Sequence, residues 1–123
     1  MPVQPKVQAR PSKWLTPVTL VLLEEEPSHG YELMERMEEE FGFEEIQPGS
    51  VYRTLRQMEK EGLCQSEWET PSADESGPPR RVYAITENGE AYLAAWAKAC
   101  KEYQQLMGEF ARVYQRRPSR SSE

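Results

Sequence analysis

Three basic residues, Arg53, Arg56 and Lys60, share the short segment GSVYRTLRQMEKEG, and Arg80 and Arg81 stand together in PPRRVYAIT. Ser50, Tyr52 and Gln57 are interleaved with the first group. Guanidinium and ammonium groups neutralise phosphate, hydroxyls bond phosphate oxygens, and Arg and Gln present paired hydrogen bonds to base edges. The chemistry on offer is recognition of a polyanion. Bond-making chemistry has much less to work with. Cys64, Cys100 and His29 are the only thiols and the only imidazole, whereas a structural zinc site takes about four such ligands. A cysteine nucleophile needs an electropositive pocket, and acids follow Cys64 in the sequence. His29 reads as a helix-start residue bonded to backbone. There is no phosphate-cradling glycine loop. No metal, no cofactor and no enzymatic activity are expected.

The basic residues stand out against an acidic chain. Its 123 residues carry a formal net charge of -6, with pI ≈ 5.0. Residues 1–47 hold a net -6 and residues 63–79 a net -4, but residues 48–62 hold +1 and residues 80–86 hold +2. Non-specific affinity for nucleic acid scales with the phosphates neutralised, so the acidic bulk argues against a promiscuous coat. A specific binder needs only a local patch. No apolar run approaches the roughly 20 residues of a spanning helix, and WLTPVTLVLL lacks the small-residue cleavage site of a signal peptide. A cytoplasmic chain with reduced thiols and no membrane partner is expected.

The elements that must position these groups follow from spacing. Residues 1–13, with Pro2, Pro5, Pro11, Lys6, Arg10 and Lys13, read as a mobile arm whose cations could add phosphate contacts. Thr16 and Pro17 suit the cap and first position of a buried helix carrying Val18, Leu20, Val21, Leu22 and Leu23, which Pro27 closes. HGYELMERMEEEFGF predicts a second helix, with Leu33, Met34, Met37 and Phe41 on one apolar face and Gly42 at its end. Its outer face carries Glu35, Glu38, Glu39 and Glu40, so DNA would repel it. Pro48 opens a third helix behind the weak cap Gln47. Val51, Leu55 and Met58 must face inward, which leaves Ser50, Arg53, Arg56, Gln57 and Lys60 outward and Tyr52 at the margin, and Gly62 stops it.

Two short β-type runs come next, LCQSEWET and RVYAIT, joined by the Pro-, Ser-, Gly- and acid-rich stretch PSADESGPPR. Cys64, Ser66 and Trp68 share one side of the first strand, with Trp68 expected in the core. The pair forms a wing. A long helix follows, from about Glu87 to Arg116, in which Leu93, Trp96, Cys100, Tyr103, Met107, Phe110 and Tyr114 step by 3 and 4 in alternation. That is a sustained heptad. Tyr92, Ala99, Leu106 and Val113 widen the stripe beyond what one neighbour covers, so part of it should meet a second subunit. Gly108 would mark a bend or a close crossing, and residues 118–123 form a disordered tail.

Three helices, a two-stranded wing and a long C-terminal helix make a mainly α winged helix-turn-helix layout. The expected domains are a DNA-binding domain at 14–86 and a dimerisation helix at 87–117. With HGYELMERME, IQPGSVYRTLRQMEKEGL, SEWE and PRRVYAIT followed by ENGEAYLAAW in place, the chain resembles the PadR family of bacterial transcriptional regulators over about residues 14–115. A closer likeness is to the polyhydroxybutyrate-responsive repressors within that family, carried by FGFEEIQPGSVYRTLRQMEKEGL with SEWET and by EAYLAAWAKACKEYQQLMGEFARVY. The family usually has Ser or Asp where Gln47 stands.

The layout and the resemblance together imply a sequence-specific, homodimeric repressor of a two-fold symmetric operator. Ser50, Tyr52, Arg53, Arg56, Gln57, Lys60, Arg80 and Arg81 are then the DNA-contacting residues, with Arg53 and Arg56 either guanine readers or phosphate clamps. Tyr52 is equally well a packing tyrosine. The family's ligands lodge near the N-terminal and C-terminal helices against aromatics, which points to Trp14, Trp96 and Tyr103 as an effector site or dimer core. The effector is then the storage polymer or its granule surface. The alternatives are a phenolic or other lipophilic small molecule, and a winged-helix interaction module that has lost DNA binding.

Overall fold

A computed structural model of the chain describes residues 11–70 and 77–118, with side chains from residue 14 onward. Lys6, Arg10, the Lys13 side chain, most of the wing loop and residues 119–123 lie outside it. The elements run α1 (Pro11–Glu25), β1 (Ser28–His29), α2 (Gly30–Phe41), α3 (Pro48–Lys60), β2 (Cys64–Glu69), β3 (Arg80–Ile85) and α4 (Glu87–Gln115). The layout is a winged helix with a long C-terminal helix. The chain divides into two compact units, with the boundary between Leu93 and Ala94.

The first unit is built on one core. Leu20 and Leu22 of α1, Leu33 and Met37 of α2, and Val51, Leu55 and Met58 of α3 are buried together, and Cys64 and Tyr83 of the sheet close the cluster. The inward set predicted for α3 is the buried set. Pro48 stands in the first turn of α3, and Gly42 caps α2 in the left-handed region at φ 66. Each residue sits where its backbone freedom suits it.

Three expectations are corrected. The first helix begins at Pro11, not Thr16, so Pro17 lies inside it and residues 11–13 belong to the helix rather than to an arm. Proline there removes one backbone hydrogen bond, yet Leu15 is buried and Trp14 packs partly against the core. Burying those side chains is worth about 2–3 kcal/mol each when complete, comparable to the penalty. Phe41 is 44% exposed despite its place on the apolar face, because the helix ends there; its ring lies 5.9 Å from that of Phe43, centroid to centroid.

The third correction concerns the sheet. It has three strands, in the order β1-β3-β2, all antiparallel. Ser28 pairs with Tyr83 and His29 with Val82. A two-residue strand has no period to read, so Ser28 and His29 look like the approach to a helix. Arg36 of α2 locks this corner by donating to Ser28 Oγ at 3.0 Å, the Leu22 carbonyl at 3.0 Å and a Glu25 carboxylate oxygen at 2.8 Å.

Candidate nucleic-acid interface

The third helix presents its basic residues as the spacing requires. With Val51, Leu55 and Met58 buried, Arg53, Arg56, Gln57 and Lys60 are exposed and Ser50 is half-buried. The nearby acids are engaged elsewhere. Glu59 accepts a hydrogen bond from Ser66 Oγ at 2.8 Å, and Glu61 accepts one from Gln57 Nε2 at 3.3 Å. Among the described residues none of Arg53, Arg56 and Lys60 forms an ion pair. Their charge faces water, in a chain of net charge -6.

Tyr52 is chiefly a packing residue. Its ring lies against the backbone of Gly30, where an added Cβ would come within 2.5 Å of the ring. Gly30 therefore lets the start of α3 close on the start of α2. His29 holds that start from the other side: its N–H donates to Glu32 Oε1 at 3.1 Å, and the same carboxylate oxygen lies 3.2 Å from its Nε2. The structural role expected of His29 is what its contacts describe.

The wing separates two residues that the sequence sets side by side. Successive residues of a strand point to opposite faces. Arg81 pairs with Trp68 on the face that leads back to Cys64 and Tyr83, while Arg80 pairs with Glu69 on the other face and comes within 3.3 Å of His29 Nε2. Trp68 does share a side with Cys64 and Ser66, but it is not core. Exposure rises along that side from buried Cys64 through half-buried Ser66 to Trp68 at 65%, because the hairpin runs past the end of the helical layer. The Arg81 guanidinium covers part of the indole, 4.7 Å above the ring centroid. The pairing of a tryptophan with an arginine across the wing is absent from any reading of the strand alone, although Trp68 and Arg81 in facing registers would have signalled it.

A recess of about 460 Å3 opens between the first turn of α2 and the wing, lined by Tyr31, Tyr52, Trp68, Arg80, Arg81 and His29 among others. Tyr83 forms part of its wall, and burial pushes the Tyr83 phenol up, with Arg81 pulling the other way. Cys64, behind it, donates its S–H toward the Leu55 carbonyl at 3.8 Å. Burial, reinforced by the Glu59 carboxylate, pushes the Cys64 thiol up to about 11. A thiol so protonated is no nucleophile near neutral pH. Among the described residues no cluster of His, Cys, Asp and Glu could hold a metal ion.

Thr86 starts α4. Its Oγ1 donates to the Gly62 carbonyl at 2.6 Å and accepts from the Gly89 N–H at 3.1 Å. Leu93 packs against the core of the first unit. In the second unit, Trp96 and Cys100 are half-buried, whereas Tyr103, Met107, Phe110 and Tyr114 of the predicted stripe are each more than 60% exposed, as is Leu106. Gly108 has open space around it. Among the described residues no helix is long and apolar enough to cross a membrane.

Comparison with known proteins agrees with this layout. Residues 19–95 match the model of the transcriptional regulator PadR-like family. Over 78 residues, 63% of the chain, it is 38% identical to Rv1176c of Mycobacterium tuberculosis, named a probable transcriptional regulator, and it spans 40% of that relative's length. A PadR-like transcriptional regulator from Bacillus cereus superposes with a TM-score of 0.67 at 26% identity, covering 80% of this chain and 92% of its own. Bacillus subtilis PadR, crystallised with operator DNA, superposes with a TM-score of 0.60 at 23% identity, over 68% of this chain and 46% of that one.

Proposed function

Because the chain belongs to the PadR-like family of transcriptional regulators, which are not enzymes, we propose that it is a cytoplasmic, homodimeric repressor that binds a two-fold symmetric DNA operator. One observation carries this reading. The exposed face of α3 holds Arg53, Arg56 and Lys60 with no ion pair among the described residues, in a chain of net charge -6. Acidic partners are near, since Glu59 lies on the same helix and Glu61 caps its end, yet both carboxylates accept from other residues.

In this reading α3 enters the major groove. Ser50, at the helix start, bonds phosphate where backbone N–H groups and the helix dipole favour an anion. Arg53 and Arg56 read guanine or clamp phosphate, Gln57 exchanges Glu61 for adenine, Lys60 meets phosphate further along, and Tyr52 adds its hydroxyl at the margin. Arg80 and Arg81 bring the wing to the duplex. Bacillus subtilis PadR, which shares the fold, was crystallised with operator DNA, and that supports DNA as the partner.

The second copy docks along α4, whose stripe of Tyr103, Met107, Phe110 and Tyr114 is left open in a single chain. Paired helices would set the two copies of α3 about one DNA turn apart, roughly 34 Å. An effector would favour a dimer with the wrong spacing; the aromatics proposed to meet it are Trp14 in the first unit and, separately, Trp96 and Tyr103 in the second. On the resemblance of the chain to the polyhydroxybutyrate-responsive repressors, the effector proposed is a storage polymer or its granule surface, with a phenolic or other lipophilic molecule as the alternative.

The test is fluorescence anisotropy with DNA from the chain's own upstream region, over a salt series, with and without polyhydroxybutyrate particles. Tight binding that salt weakens, that exceeds a scrambled duplex and that polymer releases is the expected result. Arg53→Ala and Arg56→Ala should each weaken it about tenfold or more, as for a bidentate base contact worth about 1–3 kcal/mol. Loss of preference for any upstream DNA would favour an interaction module working through the acidic face of α2.

A further inference from the structure

His29 is the only histidine of the chain, and one atom of its ring carries two contacts. Its side chain, 19% exposed, sits where β1 gives way to α2, with Nε2 3.2 Å from Glu32 Oε1 and 3.3 Å from Arg80 Nη1. An imidazole nitrogen donates when it bears a proton and accepts when it is bare, never both. A carboxylate only accepts and a guanidinium only donates. As hydrogen bonds the two contacts are therefore alternatives: a protonated Nε2 bonds Glu32, and a bare one bonds Arg80. Imidazole is the side chain that ordinarily changes charge between about pH 5 and 8, so a modest change in pH can make the choice.

The surroundings confine the choice to these two partners. The other titratable groups around the ring are Tyr31 of α2, Tyr52 of α3, and Arg81 and Tyr83 of β3. Phenols are neutral near neutral pH, and burial pushes Tyr83 further up. The Arg81 guanidinium lies over Trp68 and bonds the Tyr83 side chain. Glu32 and Arg80 remain as the two charges, of opposite sign, that address Nε2. The sheet fixes their spacing. His29 pairs with Val82, and Arg80, two residues along the same strand, points to the same face as Val82. Arg80 is thus a diagonal neighbour of His29 across the two strands, with Glu69 facing it from β2.

We infer that His29 is a proton-operated latch on the wing. With the ring neutral and Nε2 bare, it holds the Arg80 guanidinium against the first turn of α2. Protonation commits Nε2 to Glu32 and sets a positive charge 3.3 Å from Arg80. Like charges repel at that distance, so the guanidinium swings clear. The inference rests on the DNA-binding reading, which brings Arg80 to the duplex, and adds regulation to it: affinity for DNA becomes proton-linked. DNA favours the unlatched form, so the complex holds the proton more tightly than the free chain and binding strengthens as pH falls. His29 is a positioning residue and acts through Arg80.

The first arm of the test needs no DNA. From about pH 7.5 to about 5.5, the side-chain nitrogen resonances of Arg80 should move together with the ring resonances of His29 in an NMR titration, and should stay fixed in His29→Gln. The second arm is fluorescence anisotropy with the upstream duplex over the same range. Wild-type affinity should rise about fivefold toward low pH, with a salt slope steeper by about one per protomer. His29→Gln, which cannot take the proton, and Arg80→Ala, which removes the latched group, should each give a flat profile. Arg80 is exposed, so Arg80→Ala keeps the fold and carries the test if His29→Gln does not. Glu32→Gln keeps an oxygen for the His29 backbone N–H but loses the charge that holds the imidazolium, and should move the rise to lower pH. A rise that persists in Arg80→Ala overturns the inference, because the imidazolium would then meet DNA by itself, and so does a flat wild-type profile. If wild type binds no upstream DNA, the DNA-binding reading falls, and the latch stands or falls on the NMR arm.

Discussion

At the scale of single residues, polar groups with defined partners do most to hold the corner that carries the wing. Arg36 bonds Ser28, the Leu22 carbonyl and Glu25 from a side chain only 16% exposed. Removing it leaves the Ser28 hydroxyl short of a donor and the Leu22 carbonyl with the Glu26 N–H at 3.3 Å. Hydrogen bonds to charged groups contribute about 1.5–3 kcal/mol, so Arg36→Ala should lower stability by about 2 kcal/mol, measured by urea unfolding. Cys64 supplies a pH dependence. Its folded value of about 11 lies above the usual 9.0, so the folded state binds the proton more tightly. The stability it contributes is complete below pH 9 and is lost as pH rises from 9 toward 11. Tyr83 shifts in the same direction. Urea midpoints should therefore fall across this window, and Cys64→Ala should flatten the fall without abolishing it.

At the scale of elements, the start of α4 packs closely against Leu63 and the wing strand β3 at Gly89. A Cβ built on Gly89 would run into the Leu63 carbonyl oxygen and crowd Ile85. The obstacle is backbone, which cannot swing aside as a side chain can. Gly89→Ala should cost about 3 kcal/mol, at the upper end for overpacking, and differential scanning calorimetry would show the drop in Tm. Gly108→Ala is the contrast. With nothing near it, alanine should raise helix stability by up to about 1 kcal/mol, unless a second chain crosses at that point. A Gly108→Ala protein that melts lower, or dissociates more readily, would locate such a crossing.

At the scale of the whole molecule, α4 leaves Tyr103, Leu106, Met107, Phe110 and Tyr114 to water in one copy. Each fully buried side chain of this kind gains about 1.5–3 kcal/mol, ample to favour association. The proposed dimer along α4 predicts that wild type runs as a dimer, and Phe110→Glu and Met107→Glu as monomers, in light scattering coupled to size exclusion. Operator affinity should fall with them, since one winged helix alone makes half the contacts. The winged-helix unit should keep its fold in these variants, because its core draws on Leu93 but on none of the exposed stripe.

Periodicity and punctuation sufficed for much of this. Val51, Leu55 and Met58 step by four and three behind Pro48, and no arrangement buries them without turning Arg53, Arg56 and Lys60 outward; that placement is local and was legible in the sequence. The same holds for the stop at Gly42, the wing strands and the extent of the long C-terminal helix. What lay beyond the sequence depends on contacts between distant segments. Whether Pro17 begins a helix or sits within one turns on the packing of Trp14 and Leu15 against the core, which outweighs a local preference. Strand β1 exists only because β3 offers Tyr83 and Val82 as partners. Alternation puts Trp68 on the inner side of its strand, but only the tertiary structure decides that the helices end before they reach it, leaving an indole at the surface for Arg81 to cover. Sequence determines which face a residue takes. How far the covering layer extends is a property of the assembled fold.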